Sequence, residues 1–216
     1  MTEPVLTDVW LPEDLRAIAL VLHGGAEHGT RPIDERSLSW RRARAVARHL
    51  HEEVADDGIG VVVLRYRVKG WNARPGREPS PVPDARWALD RLREHDVPVV
   101  LLGHSMGART AVAVADDPAV RGVVALAPWL PADEPVAPLT GKVLRAAHGS
   151  RDKITSARAT RRYVERAATV ADAEFTDMGR LGHYLLRGIP HWHAFAVDGV
   201  RALAADDLRR RPPAPR

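Results

Sequence analysis

Ser105 lies at the centre of Gly103-His104-Ser105-Met106-Gly107, a setting that suits a nucleophile. Before it, Val97-Pro98-Val99-Val100-Leu101-Leu102 is a short apolar run of the kind that forms a parallel strand covered on both faces. After it, Ala108, Ala111, Val112 and Ala115 recur at helical spacing. A serine between the two occupies a sharp strand-to-helix turn that pushes its hydroxyl out of the sheet edge. Glycine two positions before and two after keeps side chains from colliding with the flanking strand and helix. The helix behind the serine aims free backbone N–H groups, Met106 first, and the positive end of its dipole at the same point. There they can hold a developing oxyanion. The chemistry open to such a turn is attack on a carbonyl through the serine oxygen.

With its strand and helix, the Gly-x-Ser-x-Gly motif resembles the nucleophile turn of the α/β-hydrolase superfamily. Three further stretches carry the resemblance. His23-Gly24-Gly25-Ala26 follows the apolar run 17–22 and is similar to the loop that supplies the other oxyanion donor, with Gly25 the first candidate and Ala26 the alternative. His148-Gly149-Ser150-Arg151-Asp152 resembles the turn that carries the triad acid, which points to Asp152, with Asp133 as its rival and a helix-capping role as its bland alternative. Gly179-Arg180-Leu181-Gly182-His183 resembles the loop that carries the base. His191 and His193 compete with His183, but Pro190 suggests that they already belong to the final helix. The order Ser105, Asp152, His183 is the one expected of this fold.

The resemblance implies a Ser-His-Asp hydrolase in which His183 takes the Ser105 proton as the oxygen attacks an ester or thioester carbonyl. Met106 and Gly25 would hold the oxyanion and Asp152 would steady the imidazolium, before water releases the acyl group. Compact esterases and dienelactone-hydrolase-like enzymes both fall within it. No cofactor and no metal are implied. Two alternatives stay open: transfer of the acyl group to an alcohol or peroxide, and a non-catalytic small-molecule-binding module on the same fold.

The elements that must position these residues alternate between strand and helix. An edge strand is expected over 4–10, buried strands over 17–22, 60–64 and 97–102, and further strands over 122–127, 142–147 and 173–178. Helices are expected over 38–55, 84–95, 106–115, 160–168 and 192–208. This predicts a three-layer α/β/α sandwich with a mainly parallel sheet and the site at the strand carboxyl ends, and set beside the superfamily that the chain resembles it is a fold trimmed at the N-terminus. On the first helix Arg41, Arg42, Arg44 and Arg48 form a stripe most simply read as a solvated face. Trp40, Trp71 and Trp129 hint at an apolar substrate pocket, although Trp40 suits packing of its helix against the core equally well. His23 and His28 read as residues that order their loop. Residues 130–141 hold Pro131, Pro135 and Pro138 and cannot build a helical lid, which predicts an open cleft.

Composition narrows the rest. The 216 residues suit one domain, expected over 1–208, with a frayed tail from Arg209 to Arg216. Without cysteine there is no disulfide, no thiolate nucleophile and no cysteine-ligated metal. The net charge of +4 comes from arginines scattered among acids, lysine occurring only at Lys69, Lys142 and Lys153, so nucleic acid is not an expected partner. No run approaches a membrane span and the first residues lack signal-peptide character, which predicts a cytoplasmic protein with no membrane partner and a small-molecule ester or thioester substrate. The oligomeric state is not legible.

Overall fold

The computed structural model describes the backbone of residues 3–210 and the side chains of residues 3–205. Most of the expected frayed tail, residues 211–216, lies outside the described residues. The strands are β1 (Val5–Trp10), β2 (Ala17–Leu22), β3 (Ile59–Arg65), β4 (Val99–His104), β5 (Val120–Leu126), β6 (Val143–His148) and β7 (Asp172–Asp177). The helices are α1 (Leu38–Val54), α2 (Pro81–Leu92), α3 (Met106–Ala113), α4 (Ala157–Ala167) and α5 (Ile189–Arg210).

One sheet of order β1-β3-β2-β4-β5-β6-β7 holds every strand, and only β1 runs antiparallel to its neighbour. Every residue of β2 and β4 is buried, which is why both read as unbroken apolar runs rather than alternating ones. β7, at the sheet edge, is nowhere fully buried, and Asp172, Glu174 and Asp177 are exposed to water. Helices α1 and α5 pack on each other over one face, while α2 and α3 pack on each other and α4 covers β6 and β7. The arrangement is the three-layer one that the alternation of elements predicts.

Three helices start three residues earlier than periodicity indicates: α2 at Pro81 and α5 at Ile189, where proline fits the first helical turn and its missing N–H has no partner to lose, and α4 at Ala157, where Ser156 caps the helix. Asp84, in the first turn of α2, is buried and accepts from the Arg67 backbone N–H at 2.9 Å, so it ties α2 to the loop after β3. Between residues 130 and 141 the only regular structure is a single turn, Ala137–Leu139, so this segment forms no helical lid.

Parallel strands bring their carboxyl ends to one side. The chain goes from β2 to β3 on one flank and then crosses back to β4 on the other, so the loops after β2 and β4 part at a crevice between adjacent strands. His23, Ser105, Trp129, Asp152 and His183 all follow strand ends on this side. Core stability rests on the central strands. Leu20→Ala, at a fully buried position of β2, is expected to lower the free energy of unfolding by about 2–5 kcal/mol, and Val9→Ala on the exposed side of β1 by less than about 1 kcal/mol, both read by urea denaturation.

Candidate active site

Ser105 joins β4 to α3 with φ 56° and ψ −118°, a conformation that side-chain-bearing residues rarely hold. Its own backbone is fixed on both sides. Its N–H donates to Leu126 O at 3.1 Å, and its carbonyl accepts from Trp129 N–H at 3.2 Å and from Ala108 N–H at 3.1 Å. A Cβ on Gly107 would run into the carbonyl oxygens of Leu22 and His23, and one on Gly103 into the backbone of Ala108. The motif glycines are therefore required by close approach of α3 to β2 and β4.

His183, in the loop after β7, places Nε2 3.0 Å from Ser105 Oγ and Nδ1 2.7 Å from Asp152 Oδ2. Because the carboxylate accepts, Nδ1 carries the proton and Nε2 is left to receive one from the serine. Asp152 is almost fully enclosed. Its Oδ2 also accepts from His148 Nε2 at 3.0 Å and from Thr155 Oγ1 at 2.8 Å, and its Oδ1 from the backbone N–H groups of Ile154 at 2.7 Å and Thr155 at 2.8 Å. Burial by itself raises the carboxyl pKa. The bonds from His148, His183 and the two amides outweigh it and hold the group well below the usual carboxylate range. His148 is positioned in turn by Thr160 Oγ1, 2.8 Å from its Nδ1.

The competing candidates fall elsewhere. Asp133 is exposed, away from His183. His191 is exposed on α5, and His193 stacks on His49 of α1 with ring centroids 4.1 Å apart. Capping of α4 is done by Ser156, whose hydroxyl accepts from Ala159 N–H at 3.2 Å, leaving Asp152 to the histidines. Sequence reasoning missed His148, Thr155 and His104. His104 Nε2 donates to the His183 carbonyl at 2.8 Å and so fixes the backbone that carries the imidazole. Burial, with His183 nearby, pushes the His104 pKa down to about 3, so the ring is neutral. The spacing of His148 four residues before Asp152, and of Thr155 three after, was the available signal.

The Gly24-Gly25 backbone lies directly against Ser105 and Met106. Among the described residues, neither Gly25 N–H nor Met106 N–H has a hydrogen-bond partner, whereas Ala26 N–H donates to Lys69 O at 3.1 Å. Of the two loop candidates, Gly25 is thus the one with a free donor. His23 has both nitrogens committed: Nε2 accepts from Tyr66 N–H at 3.2 Å, so Nδ1 is the donor to Gly24 O at 2.7 Å. It orders the loop and is buried, with its pKa pushed down to about 4. His28 is exposed.

A cavity of about 520 Å³ opens in front of Ser105. None of the three tryptophans borders it, which corrects the expectation that Trp40, Trp71 and Trp129 line the pocket. Trp40 is buried at the base of α1, flanked by the guanidinium groups of Arg44 and Arg65 at 4.8 and 5.4 Å, with its Nε1 donating to Thr7 Oγ1 at 3.4 Å. Trp71 and Trp129 meet edge to face at 6.2 Å and clasp Arg109, whose partner is Glu134. Their indoles stack on cations. The apolar walls are instead Pro32, Ile33, Leu38 and Leu186. Arg42, read as part of a solvated stripe, also borders the cavity. Among the described residues no group of three or more His, Asp or Glu side chains is arranged to hold a metal ion.

The two buried histidines give the fold an acid sensitivity. In the unfolded chain they take up protons near pH 6.5, but in the fold only near pH 4 (His23) and 3 (His104), so stability is full above about pH 6.5 and is lost as pH falls. His23 alone should remove roughly 3 kcal/mol by pH 4. Urea unfolding between pH 7.5 and 4.5 is expected to show this decline, and His23→Asn, although less stable at pH 7.5, to show a shallower one.

The model of the alpha/beta hydrolase family matches residues 19–216. No curated protein sequence matches the chain significantly. Among solved structures, the esterase Est2 of the Planctomycetes species Thermogutta terrifontis, with propionate bound, superposes with a TM-score of 0.69 at 16% identity, covering 95% of this chain and 90% of that one. Est1E of Butyrivibrio proteoclasticus, with ferulic acid bound, gives 0.68 at 12% identity over 94% and 96%. XC6422 of Xanthomonas campestris, described as a serine hydrolase without a lid, gives 0.56 at 20% identity over 100% and 98%. At such identities the structural likeness speaks for the fold, and the match of the family model over most of the chain gives the membership: the protein belongs to the alpha/beta hydrolase family.

Proposed function

We propose that this protein is a serine hydrolase that cleaves a carboxylic ester or thioester with a small to medium acyl group through an acyl-enzyme on Ser105. The observation that carries the reading is the continuous hydrogen-bonded chain from Asp152 through His183 to Ser105, with contacts of 2.7 and 3.0 Å. As Ser105 Oγ bonds to the carbonyl carbon, His183 Nε2 takes its proton and the carbonyl π electrons move onto oxygen. The free N–H groups of Met106 and Gly25 receive that oxyanion. Asp152 stabilises the imidazolium, which then protonates the departing alcohol or thiol. Water, deprotonated by the same imidazole, attacks the acyl-enzyme and releases the acid.

The absence of a helical lid between residues 130 and 141 supports substrates that enter directly from solvent. The commitment of the buried histidines His23, His104 and His148 to structural bonds supports His183 as the base. A binding module would have no need of a buried, five-fold hydrogen-bonded carboxylate behind a serine hydroxyl.

With short and medium p-nitrophenyl esters, a burst of p-nitrophenol stoichiometric with enzyme is expected, and Ser105→Ala should abolish it and lower kcat by about 10⁴-fold or more. Asp152→Asn, which allows the wrong imidazole tautomer, should lower kcat by roughly 10⁴-fold with little change in KM. Thr155 acts through Asp152 and is a positioning residue. Thr155→Val is expected to reduce kcat about tenfold at unchanged KM, and Thr155→Ser to restore it. An undiminished turnover in Ser105→Ala would contradict the mechanism.

A further inference from the structure

The cavity in front of Ser105 is unevenly charged. Arg31, Arg36, Arg42 and Lys69 border it against a single carboxylate, Asp34. Asp34 is already occupied: it accepts from Ser37 Oγ at 3.1 Å and Arg36 N–H at 3.0 Å, and it faces Arg31 at 3.6 Å. That leaves Arg36, Arg42 and Lys69, none of which has an ion-pair partner among the described residues.

Arg42 is the most telling of the three. It projects from α1, its Nε is buried without a hydrogen-bond partner, and its guanidinium lies 5.1 Å over the ring of Tyr184, the residue next to His183. The Tyr184 ring in turn stands 5.4 Å from the His183 ring. Two other partly buried arginines, Arg44 and Arg109, have carboxylate partners in Asp8 and Glu134, whereas among the described residues no carboxylate meets Arg42. Withdrawing a guanidinium from water without a partner is unfavourable, and burial accordingly lowers the Arg42 pKa with only Tyr184 opposing it. A planar fork of donors facing a reaction cavity is complementary to an oxyanion.

We infer that the ester or thioester cleaved at Ser105 bears a second, anionic group, a carboxylate or a phosphate, which Arg42 binds while Arg36 and Lys69 draw it in from the rim. The inference rests on Ser105 being the acylated nucleophile, as proposed above. Arg42 is the specificity-determining residue in this arrangement. The neutral end of the substrate would contact Pro32, Ile33, Leu38 and Leu186.

The test compares kcat/KM for esters of similar acyl length: p-nitrophenyl hexanoate, mono-p-nitrophenyl adipate, the methyl ester of that adipate, and p-nitrophenyl 5-phosphonopentanoate. At low salt at least one anionic ester should exceed the neutral methyl ester by about tenfold or more, the effect of one charge-assisted hydrogen bond. Whether the adipate or the phosphonate leads identifies the anion as carboxylate or phosphate. The preference should shrink in 0.5 M NaCl, since the rim cations are exposed. Arg42→Gln should erase most of the ratio, chiefly through KM for the anionic ester, and Arg42→Lys should restore part of it. If Arg42→Gln does not fold, Lys69→Gln at an exposed position should reduce the same ratio and its salt dependence. Neutral esters cleaved through Ser105 as fast as both anionic ones, or a ratio unchanged in Arg42→Gln, would overturn the anion site while leaving the hydrolase reading intact. No turnover of any ester and no acylation of Ser105 would instead remove the hydrolase reading itself.

Discussion

A serine held at φ 56° and ψ −118° is the constraint on which the rest of the site depends. Such a backbone costs on the order of 1–3 kcal/mol and persists only where its surroundings leave it no alternative. Here the surroundings are the most deeply buried strands of the sheet. β4 is enclosed between β2 and β5, the Ser105 N–H and carbonyl are bonded to the end of β5 and the loop beyond it, and α3 approaches so closely that glycine is needed at 103 and 107. The hydrophobic core therefore does more than stabilise the chain. It holds one hydroxyl at the sheet edge, beside the first free amides of a helix.

The second demand is a charge kept inside the protein. Asp152 is buried and ionised, which is tolerable because every oxygen is saturated by donors from its own turn, from β6 and from His183. That saturation passes outward. The carboxylate fixes the His183 tautomer, His104 fixes the His183 backbone, and the free imidazole nitrogen meets Ser105. Histidines near the site thus divide by their partners: His23 and His104 are neutral rings bonded to backbone, His148 bridges Asp152 and Thr160, and only His183 touches the serine hydroxyl. In the rim cations the balance is reversed, with positive charge left over and Arg42 partly withdrawn from water.

Much of this was legible in the sequence, and the parts that were not share a cause. Buried parallel strands appear as apolar runs, so β2 was placed to the residue and β4, β5 and β6 to within two, and glycine-bearing turns after β4, β6 and β7 pointed to Ser105, Asp152 and His183. The starts of α2, α4 and α5 were each placed three residues late, because proline in the first turn of α2 and α5 and the Ser156 cap of α4 set these starts rather than apolar periodicity. The tryptophans were misassigned because a large aromatic ring near a loop predicts burial without saying against what. Trp40, Trp71 and Trp129 turned out to stack on arginines, Trp40 on its helix neighbour Arg44 and on Arg65, and Trp71 and Trp129 on Arg109. Arg42 was read as one of a solvated stripe for the same reason, since helical periodicity reports the side of a helix and not the loop, here the one carrying Tyr184, that folds over it.

The most direct test of Ser105 as the nucleophile is covalent trapping. The protein incubated with a fluorophosphonate should gain the mass of a single phosphonyl group, found by peptide mapping on Ser105 alone, with no adduct in Ser105→Ala and a greatly slowed reaction in Asp152→Asn. A folded protein that stays unmodified, or that is modified at another residue, would contradict it.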